Sequence, residues 1–182
     1  MFTKASFELF GNFKIGIFLK LGGNINDLTP NHKIILDIEN TKTRINSLIP
    51  RLNNNTPNIQ SEIKTKMNQL RQIMNESQFK NYSNSSILGR LRTGITQSNN
   101  KCAHLKLFDY LIAEYNNPAF ISWKNTDTYK QIKNSCKEKE INTITTRINF
   151  LIPKLNNNTP NIQTEIKTKM NQLRQIMNES QF

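Results

Sequence analysis

Apolar residues recur at helical spacing along most of the chain. Phe7, Leu9, Phe10, Phe13, Ile15, Ile17, Phe18, Leu19 and Leu21 predict a helix from about Phe7 to Leu21, with a strand over Lys14–Leu19 as the rival. Gly22-Gly23 stops it, and Thr29-Pro30 reads as an N-cap and first helical position for a helix from about Asn31 to Asp37. Ile45, Leu48, Ile49 and Leu52 then form a helical stripe. Pro50 stands near the end of that stripe, where its ring and missing N–H end or bend a helix. Asn53–Asn55 make a turn, and Thr56-Pro57 repeats the cap-plus-proline signal. Behind it Ile59, Ile63, Met67, Leu70 and Met74 are spaced 4, 4, 3 and 4, the clearest periodicity in the sequence.

This helix-turn-helix stretch occurs twice. Residues 43–79 and 146–182 are offset by 103 residues and differ at three of 37 positions: Ser47/Phe150, Arg51/Lys154 and Ser61/Thr164. Between the copies, residues 80–100 are rich in Ser, Asn and Gly and read as a linker or exposed loop. A helix is predicted from about Lys101 to Tyr115, broken by Asn116-Asn117-Pro118. Ala119–Lys124 is short, aromatic and partly β-branched, which predicts a strand. Asn125–Asp127 caps a helix from about Thr128 to Lys139, and Ile141–Leu155 is the next. The expected fold is mainly α, with one or two short strands. It has two similar small units, 1–79 and 101–182, each ending in a near-identical hairpin.

The order helix, strand, helix and then NTITTRINFLIPKL in the second unit resembles winged helix-turn-helix DNA-binding domains of the response-regulator output type. Asn142, Thr143, Ile144, Arg147, Ile148, Leu151, Lys154 and Leu155 stand at the positions of that family's recognition-helix pattern. The first unit offers Asn40, Thr41, Arg44, Ile45, Leu48, Arg51 and Leu52, with Lys42 at the hydrophobic place. The resemblance implies a helix inserted in the major groove and a β-hairpin wing. Two features depart from it. Pro50 and Pro153 fall inside the would-be recognition helix, and an amphipathic helix follows where a wing should be.

Charge adds weight to an anionic partner. The net charge is +12 and the pI about 9.9, spread along the chain and largest over residues 80–145, which carry +5. Arg44, Asn46 and Arg51, with Arg147, Asn149 and Lys154, are polar positions beside the apolar stripe. They suit base edges or phosphates, or simply a solvated face. The Arg51/Lys154 exchange fits a phosphate contact better than a bidentate base contact. Lys64, Lys66 and Arg71, with Lys167, Lys169 and Arg174, lie on the polar side of the second repeat helix, for solvation or for phosphate. Arg90, Arg92 and Lys101, in the linker, either track a nucleic-acid backbone or belong to a flexible basic loop. Opposite the cations, Ile59, Ile63, Met67, Leu70 and Met74, with Ile162, Ile166, Met170, Leu173 and Met177, form a seam. It either packs into its own unit or pairs with its copy or another chain.

The remaining chemistry is sparse. Trp123 reads as core. Cys102-x-His104 supplies two metal ligands where zinc needs three or four, so no metal or cofactor is expected. Cys102 and Cys136, 34 residues apart, form no disulfide framework, which suggests thiols in a reducing, intracellular compartment. No phosphate loop, nucleophile–base pair or carboxylate cluster is present, so an enzyme and a small-molecule substrate are not expected. Glu8, Lys14 and Lys20 interrupt the N-terminal apolar stretch, so no membrane span is expected. The function expected first is a basic nucleic-acid-binding protein on double-stranded DNA through its duplicated helical units; the alternatives are an interaction protein using duplicated amphipathic hairpins and an organellar or ribosome-associated RNA binder.

Overall fold

A computed structural model describes residues 22–24, 26, 28–53, 57–155 and 159–177. The helix or strand expected within residues 7–21 and the Thr56 cap lie outside them. The protein is mainly helical, and no strand occurs among the described residues. The chain divides into two compact units, Met1–Ile121 and Ser122–Phe182.

In the first unit, α1 is Pro30–Leu48. Thr29 is extended and its Oγ1 accepts a hydrogen bond from His32 N at 3.3 Å, with Pro30 at the start of the helix. The helix runs unbroken through residues 38–42, where the sequence showed no stripe. It gives way at Leu48 to a 3₁₀ turn, Ile49–Arg51, as Pro50 requires. α2, Pro57–Ile73, packs against α1. Ile45, Leu48, Ile63, Met67, Leu70 and Met74 are all buried. The seam therefore packs inside its own unit here.

Residues 80–100 are not a linker. α3, Glu76–Tyr82, starts from a capping box: Asn75 Oδ1 accepts from Gln78 N at 2.9 Å, and Gln78 Oε1 accepts from Asn75 N at 3.3 Å. It continues through a π-helical segment, Ser83–Leu88, into α4, Gly89–Gln97. Tyr82, Ile87, Leu88, Leu91 and Ile95 are buried, and they make this segment part of the core. Apart from the buried Ser83, its polar residues are exposed or half-buried. α4 packs on α5, Lys101–Tyr115, and on the Ile49–Arg51 turn.

α5 ends where expected, at Asn116, which takes the left-handed conformation (φ 44°). The expected strand is a helix, α6, Pro118–Lys124. Asn117 Oδ1 accepts from Ala119 N at 3.0 Å and Pro118 opens the helix, a cap-plus-proline start that outweighs the strand preference of the aromatic residues. Phe120 and Trp123, three apart, are both buried, as one helical face requires. Phe120 stacks on Phe108 at 5.2 Å.

In the second unit, α7 is Asp127–Leu151, one 25-residue helix where two were expected. Thr126 Oγ1 caps it by accepting from Tyr129 N at 3.3 Å. A 3₁₀ turn, Ile152–Lys154, again carries the proline, and α8 is Pro160–Ile176. Ile144, Ile148 and Leu173 form the core of this hairpin, with Ile141, Met170, Ile176 and Met177 packed around it. Trp123 meets Tyr129 edge-on at 5.5 Å and is buried, consistent with a core role. Cys102 and Cys136 are both disulfide-bonded, so neither is the thiol expected from their spacing.

Candidate functional site

Each hairpin holds its own cation. Arg44 donates from Nε and Nη2 to Glu62 Oε1 and Oε2 at 2.5 and 3.0 Å, and Arg147 does the same to Glu165 at 2.7 and 3.1 Å. These are bidentate fork pairs between the two helices of a hairpin. Each guanidinium holds its carboxylate below the usual range, chiefly through the hydrogen bonds, and each carboxylate raises the arginine. Both pairs are partly exposed to solvent, so they fix helix orientation more than they stabilise the fold. Sequence reasoning named Arg44 and Arg147 but missed Glu62 and Glu165 as their partners. A cation on one helix and an acid on its neighbour 18 positions on, in both copies, was the available signal.

Other candidate nucleic-acid contacts are occupied within the first unit. Asn46 Oδ1 accepts from Tyr82 Oη at 3.4 Å. Lys64 Nζ sits 4.0 Å from the centre of the Tyr110 ring, and the Arg71 guanidinium lies 5.2 Å from that of Tyr115. Tyr115 in turn donates to Asn68 Oδ1 at 2.7 Å, and burial pushes its phenol up to about 12. Arg44 lines a groove of about 690 Å³ with Asp37, Asn40, Thr41, Glu62 and Lys66, a mixture of both charges. Arg51, Arg90 and Arg92 are exposed. Arg90 borders a second groove of about 650 Å³ with Ser85, Ser86, Thr93 and the buried His104. In the first unit Arg44, Arg51 and Lys66 thus gather around Glu62, whose carboxyl all three lower, while Lys64 and Arg71 stand against Tyr110 and Tyr115.

In the second unit Asn149, Lys167 and Arg174 are exposed. Lys154 Nζ lies 3.5 Å from the centre of the Phe150 ring, with the Arg147 guanidinium 5.4 Å away. Phe150 itself is 52% exposed, at a position where the first copy has Ser47. The largest contrast between the copies involves identical residues. Ile49 and Leu52 are 1% and 2% exposed, whereas Ile152 and Leu155 are 52% and 47% exposed. Along the seam Ile63 and Met67 are buried, while Ile166 and Met170 are only half-buried. One sequence thus has its apolar face covered in one copy and open in the other. Among the described residues no cluster of His, Cys, Asp and Glu could hold a metal ion, and no helix is long and apolar enough to cross a membrane. No family model matches the chain, and neither a curated protein nor a solved structure matches it.

Proposed function

We propose that the chain is an interaction protein built on a duplicated helical hairpin, and that its second hairpin presents a docking surface. The observation that carries this is the exposure of Phe150, Ile152 and Leu155 on a hairpin whose other copy buries the equivalent Ile49 and Leu52. Large apolar side chains grouped on one exposed turn favour association, since water gains by their burial. The internal engagement of Arg44, Arg147, Lys64 and Arg71 argues in the same direction, because a side chain held by its own unit must release a partner before it reaches a base. The test compares the intact chain with an Ile152→Asn/Leu155→Asn double variant. Binding of an apolar-surface dye falls in the variant while its helicity by circular dichroism is unchanged. Parent-like dye binding in the variant overturns the reading.

A second reading, non-specific contact with a nucleic-acid backbone, is favoured by the net charge of +12. It predicts affinity for DNA or RNA that falls linearly in log affinity against log salt. It also predicts that an Arg44→Ala/Arg147→Ala variant binds nearly as the parent does. Binding that ignores salt removes it.

A further inference from the structure

One groove of the first unit differs from the rest of the basic surface in what lines it. It measures about 650 Å³, within the range of small-molecule sites. Arg90, Thr93, Gly94 and Gln97, spaced 3, 1 and 3, give it one face of α4, and Ile49 and Pro50 give it an apolar wall. No carboxylate stands among its lining residues, whereas the groove around Arg44 holds Asp37 and Glu62. Arg90 is exposed and makes no ion pair among the described residues, so its charge is not met in place.

The same groove reaches His104 of α5, a buried residue. Its Nδ1 lies 3.1 Å from Asn100 O. A carbonyl only accepts, so Nδ1 carries a proton and the neutral ring has its lone pair on Nε2. The Cδ2–Nε2 edge lies over Gly94, where a Cβ would fall 2.5 Å from Nε2, and the missing side chain is what admits the ring edge. Nε2 has no hydrogen-bond partner among the described residues, and its lone pair is left to whatever enters the groove. Ser98, also in the lining, accepts from Asn100 N at 2.9 Å, which leaves its own O–H to donate. Thr93 spends its hydroxyl on Gly89 O at 3.1 Å. Arg90 is one turn from Gly94, about 6 Å along α4, so guanidinium and imidazole can address one group.

We infer that this groove binds a small phosphomonoester with an apolar ester group. Its second pKa, about 6, lets such a group present both P–OH and P–O⁻ near neutral pH. The P–OH donates to neutral His104 Nε2, and the P–O⁻ oxygens accept from the Arg90 fork and the Ser98 hydroxyl. A carboxylate brings only acceptors at neutral pH and leaves the Nε2 lone pair unmet. Ile49 and Pro50 cover the ester carbons. The site uses no residue of the second hairpin and is independent of the docking surface proposed there.

The test titrates the full chain with phenyl phosphate, followed by calorimetry and by proton NMR of its two imidazoles, His32 and His104. Phenyl phosphate binds saturably, and benzoate and inorganic phosphate each bind at least about tenfold more weakly. Arg90→Gln weakens phenyl phosphate by at least about tenfold. Arg92→Gln removes the same charge from an exposed position on the same helix and changes the affinity by less than about twofold. The C2–H signal of His104, identified by its persistence in His32→Gln, moves on binding, and that of His32 does not. Absence of saturable binding overturns the inference. So do equal affinity for benzoate or for inorganic phosphate, equal losses in Arg90→Gln and Arg92→Gln, and an unmoved His104 signal.

Discussion

His104 and Gly94 define each other. A Cβ added at Gly94 would overlap the His104 ring, which is buried and held through Nδ1 to Asn100 O at 3.1 Å. The ring cannot move away without losing that bond, so Gly94→Ala destabilises the first unit by about 1–3 kcal/mol, measured by chemical denaturation. The reverse sign is expected at Ser83. Its Oγ is buried in the π-helical segment with no hydrogen-bond partner. Ser83→Ala removes a desolvated hydroxyl and raises stability by about 1 kcal/mol in the same assay. Neither residue could be ranked from sequence. In a stretch rich in Ser, Asn and Gly, one glycine is needed for packing and one serine costs stability, and only the tertiary neighbours separate them from the rest.

Helices were most legible where cap and stripe agreed. Thr29-Pro30 marked the start of α1, and α5 falls at Lys101–Tyr115 as its pattern implies. Composition misled where it was read before spacing. Ile87, Leu91 and Ile95 are four apart, which is helical, yet the polar residues between them suggested a loop. Phe120 and Trp123, three apart, carried the same signal against a strand. The paired forks Arg44–Glu62 and Arg147–Glu165 act at this scale, since they join the helices of each hairpin. Both carboxylates sit below their ordinary value of 4.5, so the bonds' contribution is fully present above that pH and is lost as pH falls through the lowered values. Because both pairs face solvent the effect is small, and it appears as a modest loss of stability of the parent in denaturant titrations as pH falls below 4.5. Glu62→Gln/Glu165→Gln flattens that acid limb.

At the scale of the molecule, the duplication was fully legible and its consequence was not. Two stretches that differ at three of 37 positions fold into equivalent hairpins, each with its fork and its proline turn. Burial is set by what packs on them from elsewhere, and no local pattern in LIPRL or LIPKL distinguishes a covered turn from an open one. The candidate cations were likewise visible as residue types, while their engagement by Tyr110, Tyr115, Glu62 and Glu165 came only from the packed structure. The central claim, one covered hairpin and one open, is tested most directly by truncating the same leucine in each. Denaturant unfolding of the full chain should show Leu52→Ala costing about 2–5 kcal/mol, as expected for a fully buried leucine. Leu155→Ala should cost within about 0.5 kcal/mol, as at an ordinary surface position. Equal losses at the two positions would contradict the claim.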